Sequence, residues 1–200
     1  MAPPKDPEKT ARRSHFQNFS NLRAQATIRV NYNQAVEGLG RICVEFQRLE
    51  TILKTATASL VHPNDPTVGA IVTAQLSFRA LLDLYYALHH HRYENALADK
   101  ELDKFLGQCA KAEERRNQII HSYWAPDYLG GKGAKRTKFT AKNRKELKQQ
   151  VEVLSKADLE KIADELRALH TTFHQNWTER AAKGISPYAP EPPSGSINKQ

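Results

Sequence analysis

Arg116 and His121 stand five residues apart in the run Glu113-Glu114-Arg115-Arg116-Asn117-Gln118-Ile119-Ile120-His121-Ser122-Tyr123-Trp124. An arginine carries a charge that does not titrate and donors that fit phosphate oxygens. A histidine titrates near neutrality, so it can take up or release a proton. The pair suits cleavage of a phosphodiester: the imidazole moves the proton and the guanidinium stabilises the charge that develops on phosphorus. Asn117 can orient the imidazole or hold a phosphate oxygen, and Tyr123 can hydrogen-bond the phosphate. This chemistry needs no metal and no cofactor. No Cys/His spacing in the chain matches a zinc site. His89, His90 and His91 would point in different directions on a helix, and His170 with His174 has no evident acidic third ligand.

Charge is concentrated just downstream. The formal net charge is +8 over 200 residues. Between Lys132 and Lys148 lie Lys132, Lys135, Arg136, Lys138, Lys142, Arg144, Lys145 and Lys148, opposed only by Glu146. Such a strip suits a polyanion, and phosphate contacts supply much of nucleic-acid affinity. A polyanion is the expected partner, held by Lys132, Lys135, Arg136, Lys138, Lys142 and Arg144. The bland alternative is a solvated loop that serves solubility.

The elements that must position these residues are helices. Val36, Leu39, Cys43, Phe46, Leu49 and Leu53 recur at helical spacing and predict a first helix from about residue 36 to 60. His62-Pro63-Asn64-Asp65-Pro66 breaks it. A second helix is predicted over 67–93, apolar on more than one side and therefore central or part of an interface. A third is predicted over 99–123, with Leu102, Phe105, Leu106, Cys109, Ile119 and Ile120 on its core face. Pro126 and Gly130-Gly131 stop it. Residues 127–142 read as a long basic excursion, a loop or a hairpin. Ser155 is a good N-cap for a last helix, with Asp158 in its first turn. No sustained alternation predicts a sheet. The fold class is therefore all-α: an antiparallel bundle of four to five helices over 17–182, between a disordered arm (1–16) and a flexible Pro-rich tail (183–200). Cys43 and Cys109 read as buried small hydrophobes in a reducing compartment. No apolar run reaches a membrane span and no signal peptide is evident, so the expectation is a cytoplasmic protein without a membrane partner.

Around a straight helix Arg116 and His121 are about 140° apart, so one copy does not aim both at one group. Asn117 and His121, and Arg116 and Tyr123, do line up. A twofold dimer would bring the arginine of one chain beside the histidine of the other, and the apolar surplus of the second helix offers an interface.

The run Arg116-Asn117-Gln118-Ile119-Ile120-His121 resembles the Arg-x4-6-His motif of the HEPN superfamily, with the polar residue that usually follows the arginine. His121-Ser122-Tyr123 resembles the Arg-x4-His-x-Tyr variant of HEPN toxins paired with nucleotidyltransferase antitoxins. Gln75-Leu76-Ser77-Phe78 and Ile120-His121-Ser122-Tyr123-Trp124 are similar to segments of HEPN-like bacterial proteins. The resemblance spans roughly residues 35 to 180. It implies a helical bundle, a homodimer and a cleft across the twofold axis. It also implies metal-independent RNA cleavage by 2′-hydroxyl attack, in phage defence or toxin–antitoxin systems, with Tyr123 as a site where a partner enzyme can attach a nucleotide.

Two rival readings stand beside this. One is a non-catalytic HEPN module that binds RNA or a nucleotide, or serves as an interaction subunit of a defence complex. The other is a plain helical interaction protein in which Arg116 and His121 are structural and Tyr123 and Trp124 anchor a helix end.

Overall fold

The structure, a computed structural model, describes residues 7–93, 96–142 and 146–180. In chain order they form α1 (Pro7–Val61), α2 (Pro66–Ala74), α3 (Phe78–Tyr93), α4 (Ala96–Ile120), β1 (Tyr123–Pro126), β2 (Ala134–Lys142), β3 (Glu146–Leu154) and α5 (Lys156–Arg180). The protein is mostly helical, but the all-α expectation is corrected by an antiparallel sheet ordered β1-β2-β3.

The helix ends follow local chemistry. The Asp65 carboxylate accepts from the Thr67 amide at 2.9 Å and the Val68 amide at 3.4 Å, with Pro66 in the first helical position of α2. These groups satisfy amides that have no partner inside the helix. The single helix expected over 67–93 is two helices, because the Ser77 hydroxyl accepts from the Ala80 amide at 3.2 Å and starts α3. Ser155 caps α5 as expected. Its hydroxyl accepts from the Asp158 amide at 3.2 Å, and the Asp158 carboxylate accepts from the Ser155 amide at 2.8 Å, which closes a reciprocal capping box. The first helix begins at Pro7, well before the expected 36. Residues 21–27 are exposed all round, so no apolar stripe marked that part as helical.

The sheet escaped the sequence because its hydropathy is inverted. In register, Pro126, Ala134 and Leu154 share one face with Trp124, Arg136 and Glu152. Ala134, Leu154 and Arg136 are buried there, Arg136 at only 4% exposed, while Trp124, Pro126 and Glu152 are half-buried. Tyr123, Phe139, Val151 and Val153 point to the other side and are exposed. A charged residue inside and aromatic and β-branched residues outside defeat an apolar-in, polar-out search.

The chain divides into two compact units. One is Met1–Gly40 with Gln118–Lys161, and the other is Arg41–Asn117 with Ile162–Gln200. Within the first, Ala35, Ile119, Ala134 and Leu159 are buried, and Gly38 lies so close to Leu159 that a Cβ there would strike its side chain. Asn31 Nδ2 donates to the carbonyl of Gly131, whose φ is +62° and favours glycine. Within the second, Phe46 meets Phe78 at 4.8 Å, and Phe173 of α5 meets Tyr85 of α3 at 5.4 Å and Phe105 of α4 at 5.6 Å. Phe173, Tyr85, Leu49, Leu53, Leu81, Leu102 and Leu166 are almost fully enclosed. Cys109 is buried, and burial pushes its thiol up to about 12, whereas Cys43 is exposed, contrary to expectation. Among the described residues no helix is long and apolar enough to cross a membrane.

Candidate functional site

Arg116 lies near the end of α4, and its guanidinium is stacked on the Phe46 ring, 4.5 Å from the centroid. Its Nη1 donates to Asn117 Oδ1 at 2.7 Å. Its Nε is buried and makes no hydrogen bond. The aromatic face and the amide hold the group in one orientation, and no carboxylate among the described residues pairs with it. Asn117, expected to orient His121, is thus turned to Arg116.

His121 follows the last residue of α4 and is exposed. The turn that carries it is tied down by three side chains. Arg136 Nη1 donates to the Gln118 carbonyl at 2.8 Å and contacts the Ser122 hydroxyl at 3.3 Å. The Ser122 hydroxyl donates to the same carbonyl. Trp124 Nε1 donates to the Ile119 carbonyl at 2.9 Å. A helix C-terminus leaves carbonyls without intrahelical donors, and a cation there is favoured by the helix dipole.

Arg136, expected among the RNA contacts, is instead turned inward. It is buried, capping α4, and its Nη2 pairs with Glu152 at 2.8 Å on the neighbouring strand. Of the other basic residues, Lys132 and Lys135 are exposed and Lys138 is half-buried. Lys142 ends β2, its side chain outside the described residues, and Arg144 lies wholly outside them. Tyr123 opens β1 and is 68% exposed, so the seven-residue helical alignment with Arg116 has no helix to run on. Trp124, by contrast, is an anchor of the helix end.

In the Arg41–Asn117 unit, Glu45 is buried and receives Arg167 Nη2 at 2.8 Å and Nε at 3.1 Å, with Arg48 at 3.4 Å. Burial pushes its carboxyl up, but the hydrogen bond and charge of Arg167, helped by Arg48, outweigh this and hold it below the usual carboxylate range. Among the described residues no three metal-ligating side chains come together. Neither a family model, nor a curated protein, nor a solved structure matches the chain.

Sequence reasoning missed the roles of Arg136, Ser122 and the Phe46 platform under Arg116. The charge run hid Arg136 among exposed neighbours. Its only distinguishing signal is its place between Ala134 and Lys138, and reading it requires the strand register.

Proposed function

We propose that the protein is a metal-independent endoribonuclease of HEPN type, acting as a homodimer. The observation that carries this is Arg116: a guanidinium held in one orientation on Phe46 and Asn117, without a carboxylate to neutralise it among the described residues, five residues before an exposed histidine. Holding a charge in place before the reaction is how a site favours a developing phosphorane-like charge. His121 of one copy accepts the proton of a ribose 2′-hydroxyl. The 2′-oxygen attacks the adjacent phosphorus while Arg116 of the other copy faces the non-bridging oxygens. The bond to the 5′-oxygen breaks, and that oxygen takes a proton from the second copy's imidazolium. The products are a 2′,3′-cyclic phosphate and a 5′-hydroxyl. Val68, Ile71 and Val72 form an exposed apolar strip on α2 at helical spacing, which suits the interface of such a dimer. A toxin or phage-defence role, with a partner that restrains the activity or modifies Tyr123, belongs to this reading, as does a cytoplasmic location.

The test is cleavage of end-labelled RNA in the presence of a chelator. His121→Ala and Arg116→Ala are expected to abolish it while the dimer stays folded. Ile71→Asp is expected to give a folded monomer that does not cleave. Cleavage by His121→Ala at the wild-type rate rejects the assignment.

A second reading, a non-catalytic module that binds RNA or a nucleotide, is favoured by one feature: Arg116 Nη1 is already engaged by Asn117. RNA binding without cleavage in any buffer selects it.

A further inference from the structure

The outer face of the sheet is where a ligand of definite chemistry is called for. Its positions, strand by strand, are Tyr123 and Ala125 on β1, Lys135, Thr137 and Phe139 on β2, and Gln149, Val151 and Val153 on β3. Tyr123 pairs with Thr137, so its diagonal neighbours on β2 are Lys135 and Phe139. Diagonal positions lie roughly 7–8 Å apart, within reach of long side chains. Thr137, between Tyr123 and Val151, is buried at 8% and forms a small polar floor. Phe139 is 58%, Val151 51% and Val153 45% exposed. No acidic residue occupies any of the eight positions. Glu152 points to the opposite side, where it pairs with Arg136.

We propose that this face is a stacking platform for single-stranded nucleic acid, RNA above all. Two aromatic rings flanking a small floor offer base faces, and valines offer apolar contact to a third base edge. Lys135, with Lys132 in the preceding turn, offers cations to the backbone. Exposed rings beside a lysine, with no acid at these positions, complement a polyanion carrying flat apolar groups. A duplex does not expose its base faces to such rings. The choice of RNA over DNA rests on the reading given under Proposed function, because of polarity along the sheet. β1 runs antiparallel to β2 and begins two residues after His121, at the end that carries Phe139 rather than Lys135. A strand laid over the face is thereby led toward His121.

The test is fluorescence anisotropy of the full chain with two labelled oligonucleotides of about 12 nucleotides, matched to the usual span of such platforms. Polydeoxythymidine has no 2′-hydroxyl to attack, so it is used with the wild-type protein. Polyuridine is used in the His121→Ala background. Phe139→Ala and Phe139→Leu are expected to weaken both by about 5- to 150-fold, the range for losing one stacked base. Phe139→Trp is expected to retain binding, and Lys135→Ala to lower the salt slope by about one. Unchanged melting of the Phe139 variants shows that the fold is intact. The proposal is overturned if wild type binds neither oligonucleotide, if Phe139→Leu binds like wild type, or if Phe139→Ala changes the oligomeric mass instead, which makes the face a self-association surface. Cleavage by His121→Ala would remove the ribonuclease reading and leave the platform standing; wild-type binding by Phe139→Leu would do the reverse.

Discussion

Among the described residues each unit buries one member of an ion pair, and the two do it with opposite signs. In the Arg41–Asn117 unit the buried ion is an acid, Glu45, served by the more exposed Arg167 and Arg48. In the sheet-bearing unit it is a base, Arg136, served by the half-buried Glu152 and the Gln118 carbonyl. Several aromatic residues divide likewise. Phe46, Phe78, Tyr85, Phe105 and Phe173 are enclosed in the helical unit, while Tyr123 and Phe139 stand in solvent on the sheet. The contrast separates rings that hold a fold together from rings that are free to meet a ligand.

Enlarging that contrast is the purpose of the following substitutions. The largest effect is expected from Phe173→Ala, which opens a cavity against Tyr85, Phe105 and Trp177. Urea unfolding should show a loss of about 3–5 kcal/mol. Glu152→Gln leaves the Arg136 charge buried without its counter-ion and should cost about 2–3 kcal/mol in the same measurement. Replacing both members, Arg136→Met with Glu152→Leu, should recover most of that loss, and failure to do so would mean that the helix-capping bonds to Gln118 and Ser122 dominate. Ser155→Ala removes the cap of α5 and should cost about 1 kcal/mol. Phe139→Ala, in contrast to Phe173→Ala, should change stability by no more than about 0.5 kcal/mol. A large loss there would erase the distinction between the two sets of rings.

The Glu45 carboxyl is held below its ordinary value of 4.5 in the folded protein. Folding therefore gains from its ionisation in full above that value, and the gain is lost as pH falls through the lower folded-state value. Glu45→Gln should flatten the acid limb of a stability-against-pH curve. An unaltered limb would show that Glu45 is not a source of the acid sensitivity.

Much of the helical architecture was legible in the chain because its causes are local. Asp65-Pro66 and Ser155 with Asp158 announce helix starts through side chains two or three residues from the amides they satisfy. The Leu49–Leu53 and Leu102–Cys109 stripes announce buried faces through spacing alone. Ser77 carries the same kind of signal, but lay unread inside a continuous apolar run. The sheet was not legible, since its buried face carries Arg136 and its solvent face carries valines, and alternation in hydropathy then gives the wrong side or none. The candidate site was legible as residue types and spacing. Its geometry was not, because the platform for Arg116 comes from Phe46, seventy residues away.

By itself, then, the chain determined where most helices start and stop, which residues carry charge, and that Arg116, Asn117 and His121 are neighbours. These follow from backbone amides and hydrophobic periodicity, which act over a few residues. Only the tertiary structure decided which cation is buried, which aromatics are exposed, and where α4 ends before His121. Those outcomes depend on strand register and on side chains distant in sequence competing for the same carbonyls and ring faces.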